Sequence, residues 1–312
     1  MKNIERRAIP LTLVGFILFL VVLFFDVPSF LDQNTHLYMH SLLEITSIII
    51  SGVIFLYGWL TWSYTNSRII IFISVSFLSV GILDLLHTLL FIDWPYSENP
   101  QPHTWFWIMG RLTEIIGITI VFFLVKSRKL YSKSNREKGI LLAGSLFYSL
   151  GISLFVFLFS SSLPNLISEI GSTTILKNNI EYSFALFHFV GVIYTLIEYR
   201  RMKNDFHLSL LLSFYFLILC SLTVTLYSNV HDSIHILGHV YKILGYYFIL
   251  RTFYLTNIKV QFERKKITEE ELHDKKEELK NILVQNQGLI IKLIKKGDVF
   301  IHTLWLANFS VI

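Results

Sequence analysis

Asp84 and His87 lie one helical turn apart near the end of a long apolar run, in the sequence Gly81-Ile-Leu-Asp-Leu-Leu-His87. Residues three or four positions apart share one face of a helix, so the carboxylate and the imidazole point the same way. An ionisable pair in so apolar a segment is costly unless it faces other polar groups or a water-filled cavity. The pair therefore marks a candidate functional site.

Four other apolar runs carry polar side chains, either in pairs three or four residues apart or as a single residue. They are His40 and Glu44, Arg111 and Glu114, His188 alone, and His239 and Lys242, with His235 one turn before His239. In the topology inferred below, these residues all fall in the outer half of the membrane. The inner halves of the same runs carry almost no charge apart from Glu198 and Arg251. This shared depth predicts one buried polar pocket formed by nine of these outer residues, all of them except His235.

Several kinds of chemistry fit this pocket, and the sequence leaves them open. The carboxylates could simply neutralise Arg111 and Lys242 and clamp the bundle together. A metal site is a second interpretation, because imidazoles and carboxylates are ligands that zinc or copper takes. Its candidate ligands are His40, His87, His188, His239 and either Asp84 or Glu44. Histidines on separate helices could also hold a haem iron, and Arg111 could bind a carboxylate or polarised oxygen of a small or amphiphilic ligand.

The composition identifies the elements that must position these residues. Of 312 residues, 53% are hydrophobic and 16% are charged, whereas about a quarter of the residues are charged in a soluble domain. Long apolar runs recur along most of the chain, which predicts a polytopic membrane protein. The single cysteine, Cys220, excludes a disulfide within the chain. The net charge is +5, and the basic residues lie between the apolar runs, so they report on membrane topology. No motif indicates a nucleic acid partner.

Eight membrane-spanning helices are predicted, each close to the ~20 residues that cross a bilayer. They cover about residues 8–25, 37–62, 69–92, 104–125, 139–160, 180–199, 208–228 and 236–256. Basic residues cluster before the first span and after every even one, and such residues stay on the cytoplasmic side. Both termini are therefore expected in the cytoplasm, with loops 93–103 and 161–179 outside. We interpret His36, His103 and His231 as interfacial residues without a role in the pocket.

The composition changes abruptly after residue 256. Residues 257–287 are rich in Glu and Lys, with Val260/Ile267 and Leu272/Leu279 at seven-residue spacing. This pattern predicts a cytoplasmic helix with a weak coiled-coil seam, and hence a homodimer through the last span and residues 257–285. Residues 288–312 are predicted to form a two-stranded β-hairpin with its turn at Gly297-Asp298. The fold class is thus an all-α membrane bundle followed by a signalling helix and a truncated hairpin.

Four motifs follow one another along the chain at the polar positions. They are His40-Ser-Leu-Leu-Glu44, Gly81-Ile-Leu-Asp-Leu-Leu-His87, Trp107-Ile-Met-Gly-Arg111-Leu-Thr-Glu114 and Leu237-Gly-His239-Val-Tyr-Lys242, the last followed by Tyr246 and Arg251. In these motifs the chain resembles the MASE3 family of bacterial membrane-associated sensor domains. The resemblance covers roughly residues 8–256. It implies a sensory input domain of unsettled stimulus, followed by PAS, histidine kinase, diguanylate cyclase or phosphodiesterase modules.

The resemblance also divides the chain into three parts. Residues 1–256 are the membrane sensor domain, residues 257–287 the linker helix, and residues 288–312 an incomplete PAS-like start. The segment 286–304 looks like the opening hairpin of a PAS domain, and Trp305–Ile312 is too short to complete one. The expected output module, a histidine kinase or a cyclic-di-GMP enzyme, is absent from this chain.

A remote likeness points to an enzyme instead. The zinc-dependent transmembrane amidases of the ceramidase type also place Asp and His residues near one face, and His235 and His239 form an HxxxH pair. In such a hydrolase the metal would hold an activated water, with Asp84 or Glu114 as the base. The sensor without catalysis is the function that we expect, and the hydrolase is the alternative.

Overall fold

The computed structural model describes residues 2–25, 31–65, 67–91, 100–126, 134–168 and 171–309, and within them the secondary structure is helical, with no β-strand. In chain order the eight helices are α1 (Lys2–Phe24), α2 (Gln33–Thr65), α3 (Arg68–Leu89), α4 (Pro100–Lys126), α5 (Asn135–Phe159), α6 (Ile175–Met202), α7 (Asp205–Thr223) and α8 (Ser233–Phe309). Each predicted span falls on one of these helices. Most of the predicted 93–103 loop lies outside the described residues.

The helices have the length and composition of membrane spans. From α2 to α7, six helices are long and apolar enough to cross a bilayer, and α1 contributes a shorter apolar helix, Ala8–Phe24. Large apolar side chains are exposed on their outer faces, including Leu42, Phe147, Leu158 and Leu186 at 59%, 74%, 72% and 64%. Extended apolar surface of this kind suits a lipid environment and is rare on soluble monomers. The prediction of an all-α, multi-pass membrane protein is confirmed.

Small side chains bring the helices together. A Cβ atom on Gly58 of α2 would lie 1.7 Å from the hydroxyl of Ser74 on α3, so only glycine permits this approach. Between α3 and α5, the hydroxyls of Ser79 and Ser145 lie 2.8 Å apart. Such contacts of small and hydroxyl residues are typical of helix pairs in membranes. The central helix α3 thereby packs against α2, α4 and α5.

The chain divides into two units, Met1–Thr256 and Asn257–Ile312. In the second unit the predicted β-hairpin is wrong, because α8 continues to Phe309 without a strand. The apolar residues there also follow helical spacing, since Ile290 and Ile294, like Phe300 and Leu304, lie four residues apart. Short apolar runs do not distinguish strand from helix, and a lone hairpin is only marginally stable in water.

A buried cluster of histidines and ion pairs

The start of helix α2 is fixed by a capping residue, and three polar residues follow it on one face. The carboxylate of Asp32 accepts a hydrogen bond from the backbone N–H of Thr35 at 3.2 Å and another from its hydroxyl. These bonds favour the charged form and lower the pKa of Asp32. As a helix cap, Asp32 accepts a hydrogen bond from a backbone N–H of the first turn that would otherwise have no partner. His36, His40 and Glu44 then follow at intervals of four residues on one face. All three are fully buried.

Glu44 is the centre of the cluster. Both of its carboxylate oxygens accept hydrogen bonds of 2.8 Å from Nζ of Lys242, on α8. Nδ1 of His239, one turn earlier on the same helix, lies 2.5 Å from Oε1 of Glu44. Nζ of Lys242 also lies 3.1 Å from the Asp84 carboxylate on α3. One lysine thus joins carboxylates from two different helices.

A chain of ion pairs runs from Asp84 to α6. The guanidinium of Arg111 lies 3.9 Å from Asp84 and 3.0 Å from Glu114, its neighbour on α4. Nε2 of His188 lies 3.6 Å from the other oxygen of Glu114. The aromatic ring of Tyr246 lies 4.7 Å from the guanidinium carbon, which adds a cation–π contact. We call Asp84, Arg111, Glu114, His188 and Lys242 the ion-pair arm.

The histidines form a second group beside Glu44. Donor atoms of His40, Glu44, His87 and His239 lie within 4.8 Å of one another, and all four residues are buried. Nδ1 of His87 lies 2.7 Å from the carbonyl oxygen of His103, on α4. The rings of His36 and His235 lie 6.3 Å and 5.3 Å from that of His40. We call these residues the histidine arm; its members are His36, His40, His87, His103, His235 and His239.

The structure brings the nine predicted site residues into one connected group, with two differences in detail. His188 and Asp84, which the sequence proposed as metal ligands, belong to the ion-pair arm and lie outside the four-donor group. His36 and His103, interpreted as interfacial, are buried at 0% and 4% exposure and pack against the other histidines. The continued spacing of four residues before His40 was the signal that could have identified His36.

Two further buried charges were also missed. Lys177 and Glu181 lie four residues apart on the first turns of α6 and are almost completely buried. Nζ of Lys177 donates to the carbonyl oxygen of Val224, and Glu181 accepts a hydrogen bond of 2.7 Å from the indole of Trp107. Their four-residue spacing matches that of His40 and Glu44. The sequence analysis counted Lys177 only as a loop charge.

Close packing limits what the histidine arm can hold. The ring of His40 lies 4.6 Å from that of His239 and 5.5 Å from that of His87, measured between centroids. A small cavity beside His87, His103 and Trp107 has room for about one water molecule. Organic ligands usually occupy pockets of ≈ 300–1,000 Å³. The cavity beside His87, His103 and Trp107 is thus far smaller than a pocket for an organic ligand.

Comparisons with known proteins agree with the sequence resemblance. A sequence model of MASE3, described as a membrane-associated sensor domain, matches residues 31–260. This match covers all the residues of both arms. No curated protein and no solved structure gives a match.

Proposed function

We propose that this chain, which belongs to the MASE3 family of membrane-associated sensor domains, is the sensory input domain of a bacterial signalling protein. A stimulus in the outer half of the bilayer acts on the buried cluster and shifts the packing of the helices. The shift is passed to a cytoplasmic histidine kinase or cyclic-di-GMP enzyme. The domain itself carries out no catalysis in this proposal.

The extent of α8 is the observation that carries the proposal. Its first turns hold His239 and Lys242, and the same helix continues beyond the family match, which ends at residue 260, as far as Phe309. An α-helix rises 1.5 Å per residue, so ~20 residues carry a rotation or shift across ~30 Å. A stimulus can bias such a movement only by binding two packings with different affinity.

Exposed apolar residues after the membrane domain support a homodimer. Leu272 and Leu279 lie seven residues apart and are 53% and 59% exposed. Lys265 and Lys266 pair with Glu269 and Glu270 at distances of 3.6 and 3.8 Å, which favours the helical state of this segment. A seven-residue apolar spacing is the pattern of a coiled-coil seam. We propose a second copy of this chain as the occupant of that seam, along residues 257–285.

The orientation with both termini in the cytoplasm is tested by cysteine labelling. Cys220 is buried and is first replaced by serine, which leaves a chain without cysteine. Cysteines are then introduced at Ser134, just before α5, and at Ser162, just after it; both positions are exposed. Because α5 is a predicted span, the two sites are expected on opposite sides of the membrane. A membrane-impermeant thiol reagent should label Ser162→Cys in intact cells and leave Ser134→Cys unlabelled. The reverse pattern would place the cluster in the inner half of the bilayer.

The signalling role is tested with a hybrid protein. Residues 1–285 are joined to an intact diguanylate cyclase, and cyclic-di-GMP is measured in cells. Asp84→Ala and His239→Ala should change the output. Insertion of one or two residues after Glu270 should also change it, because each residue rotates the seam by ~100°.

Two controls separate coupling from damage. Insertion of seven residues adds two full turns, so the apolar seam faces the partner helix again and the output should be restored. Leu186→Ala, on an exposed apolar face, should leave the output unchanged. An output that ignores insertions of one or two residues would show that α8 does not transmit the signal, and the domain would then be an anchor or an enzyme.

Two features of the cluster favour the sensor over the hydrolase. Asp84, one predicted base, lies between Lys242 and Arg111. Glu114, the other, lies between Arg111 and His188. A catalytic metal site also keeps one open coordination position beside three protein ligands, whereas four protein donors surround this centre.

A further inference from the structure

We infer that His40, Glu44, His87 and His239 form a binding site for a divalent transition-metal ion, zinc or copper(II). The inference concerns binding alone. It stands or fails independently of the sensory role, because its test measures metal rather than signal.

The geometry of the donors suits such an ion. Their four ligand atoms lie within 4.8 Å of one another. Around tetrahedral zinc, with bonds of about 2.0–2.1 Å, donor atoms stand roughly 3.3 Å apart. Each donor therefore needs to move by less than about 1 Å towards the common centre, which side-chain rotation supplies. Three imidazoles and one carboxylate favour zinc or copper(II), and the absence of sulfur from the set argues against a preference for copper(I).

Unpartnered nitrogens point into this centre. Both ring nitrogens of His40 and Nε2 of His87 are buried and have no hydrogen-bond partner among the described residues. Leaving a buried polar atom unpaired is destabilising, because the atom loses its hydrogen bonds to water on burial. Coordination of an ion by His40 and by Nε2 of His87 would relieve much of this cost.

The second nitrogen of His87 is held as metal-binding histidines usually are. Nδ1 lies 2.7 Å from the carbonyl oxygen of His103, so it carries the proton and donates it. This contact leaves the lone pair on Nε2, the unpartnered atom. A hydrogen bond from the non-ligating nitrogen to a backbone carbonyl fixes both the tautomer and the ring orientation of a ligand. Lys242 holds Glu44 in a comparable way, through two bonds of 2.8 Å.

The charge of the cluster favours a cation. Three acidic side chains, Glu44, Asp84 and Glu114, face two basic ones, Arg111 and Lys242, so acidic groups are in excess by one. Buried charge is costly unless it is compensated. An anionic ligand would add to this excess, and the arginine that would bind it is already engaged by two carboxylates.

A row of imidazoles leads to the centre. His231 is only partly buried, and its ring lies 5.4 Å from that of His36. His36 lies 5.6 Å from His235, which lies 4.6 Å from His239. Successive rings at these separations offer an incoming ion a series of nitrogen ligands. Imidazole rings thus extend from the buried site to a residue that is only partly buried.

The test is metal binding by the full chain, purified in detergent without a histidine tag and stripped with a chelator. Zinc and copper(II) are titrated calorimetrically, and bound metal is counted by mass spectrometry. We expect one ion per chain, and a weakening of more than about 10–100-fold in His40→Gln and His87→Gln, since even loss of an outer partner costs that much. His207→Gln, on α7 outside the cluster, should bind as the unchanged chain does.

The copper(II) form gives a second readout that does not depend on a variant folding. Electron paramagnetic resonance should show hyperfine splitting from three equivalent or nearly equivalent imidazole nitrogens. If neither zinc nor copper(II) binds stoichiometrically, the inference is wrong. A copper spectrum without that splitting would also overturn it, as would equal weakening by His188→Gln, which would give the site a different set of ligands.

Discussion

The two arms of the cluster are equally buried but differ in charge, because close pairs of acidic and basic side chains build one arm and imidazoles build the other. In the ion-pair arm, Arg111 and Lys242 each contact two carboxylates, and every charge faces an opposite charge. In the histidine arm, His40 has both ring nitrogens unpaired among the described residues. Glu44 lies between the two arms and joins them, because it contacts Lys242 on one side and His239 on the other.

This difference separates stability from binding within one pocket. Removing one member of a paired buried charge leaves its partner uncompensated, which is strongly destabilising. Removing a side chain whose polar atoms have no protein partner loses no hydrogen bond. We therefore expect the ion-pair arm to hold the helices together and the histidine arm to give the site its ligand. Residues at one depth in the membrane would thus divide into a stabilising group and a binding group.

The largest effect is expected for Arg111→Met. The change leaves Glu114 with His188 alone and Asp84 with Lys242 alone. Loss of one partner of a buried ion pair costs about 3–5 kcal/mol, and we expect that loss in the free energy of unfolding, measured in detergent with increasing denaturant. His40→Gln should cost less than Arg111→Met in metal-free protein, because no ion pair is lost. If His40→Gln is the more destabilising of the two, the assignment of the arms is reversed.

A smaller effect is expected from metal on stability. If the histidine arm binds zinc or copper(II), an ion at 100 times its dissociation constant should stabilise the fold by about 2.7 kcal/mol. The rise in thermal midpoint should disappear in His87→Gln and persist in His188→Gln, because Nε2 of His188 lies against Glu114. A metal-induced rise that depends on His188 and not on His87 would assign binding to the ion-pair arm.

The helices and the composition of the pocket were predictable from sequence, and the pairing within it was not. Spacings of three and four residues put Asp84 with His87 and Arg111 with Glu114 on common faces, and shared depth then implied that the faces meet. Which cation faces which carboxylate depends on the rotation of each helix about its axis. That rotation is set by contacts between helices, such as Gly58 against Ser74, which one sequence does not specify.

The errors have physical causes of the same kind. His36 and His103 were interpreted as interfacial because they lie at the ends of spans, yet both turn inward and are buried. Residues 288–309 were predicted as a hairpin because their apolar runs are short and separated by Gly297-Asp298. Short apolar runs fit both the two-residue period of a strand and the 3.6-residue period of a helix. A helix forms its hydrogen bonds within one segment, whereas a strand needs a second strand.

The smallest effect provides a baseline for uncharged contacts in the same bundle. The hydroxyl of Ser145 donates to the carbonyl oxygen of Val75 at 2.8 Å and lies 2.8 Å from the hydroxyl of Ser79. Hydrogen bonds between membrane helices average ≈ 0.6 kcal/mol, so Ser145→Ala should cost about 1 kcal/mol in the same unfolding measurement. Ser183→Ala, whose hydroxyl bonds only within its own helix at an exposed position, is the matched control and should change stability by less than about 0.5 kcal/mol. A cost for Ser145→Ala equal to that of Arg111→Met would mean that close packing of α3 against α5, and not charge pairing, is what the bundle depends on.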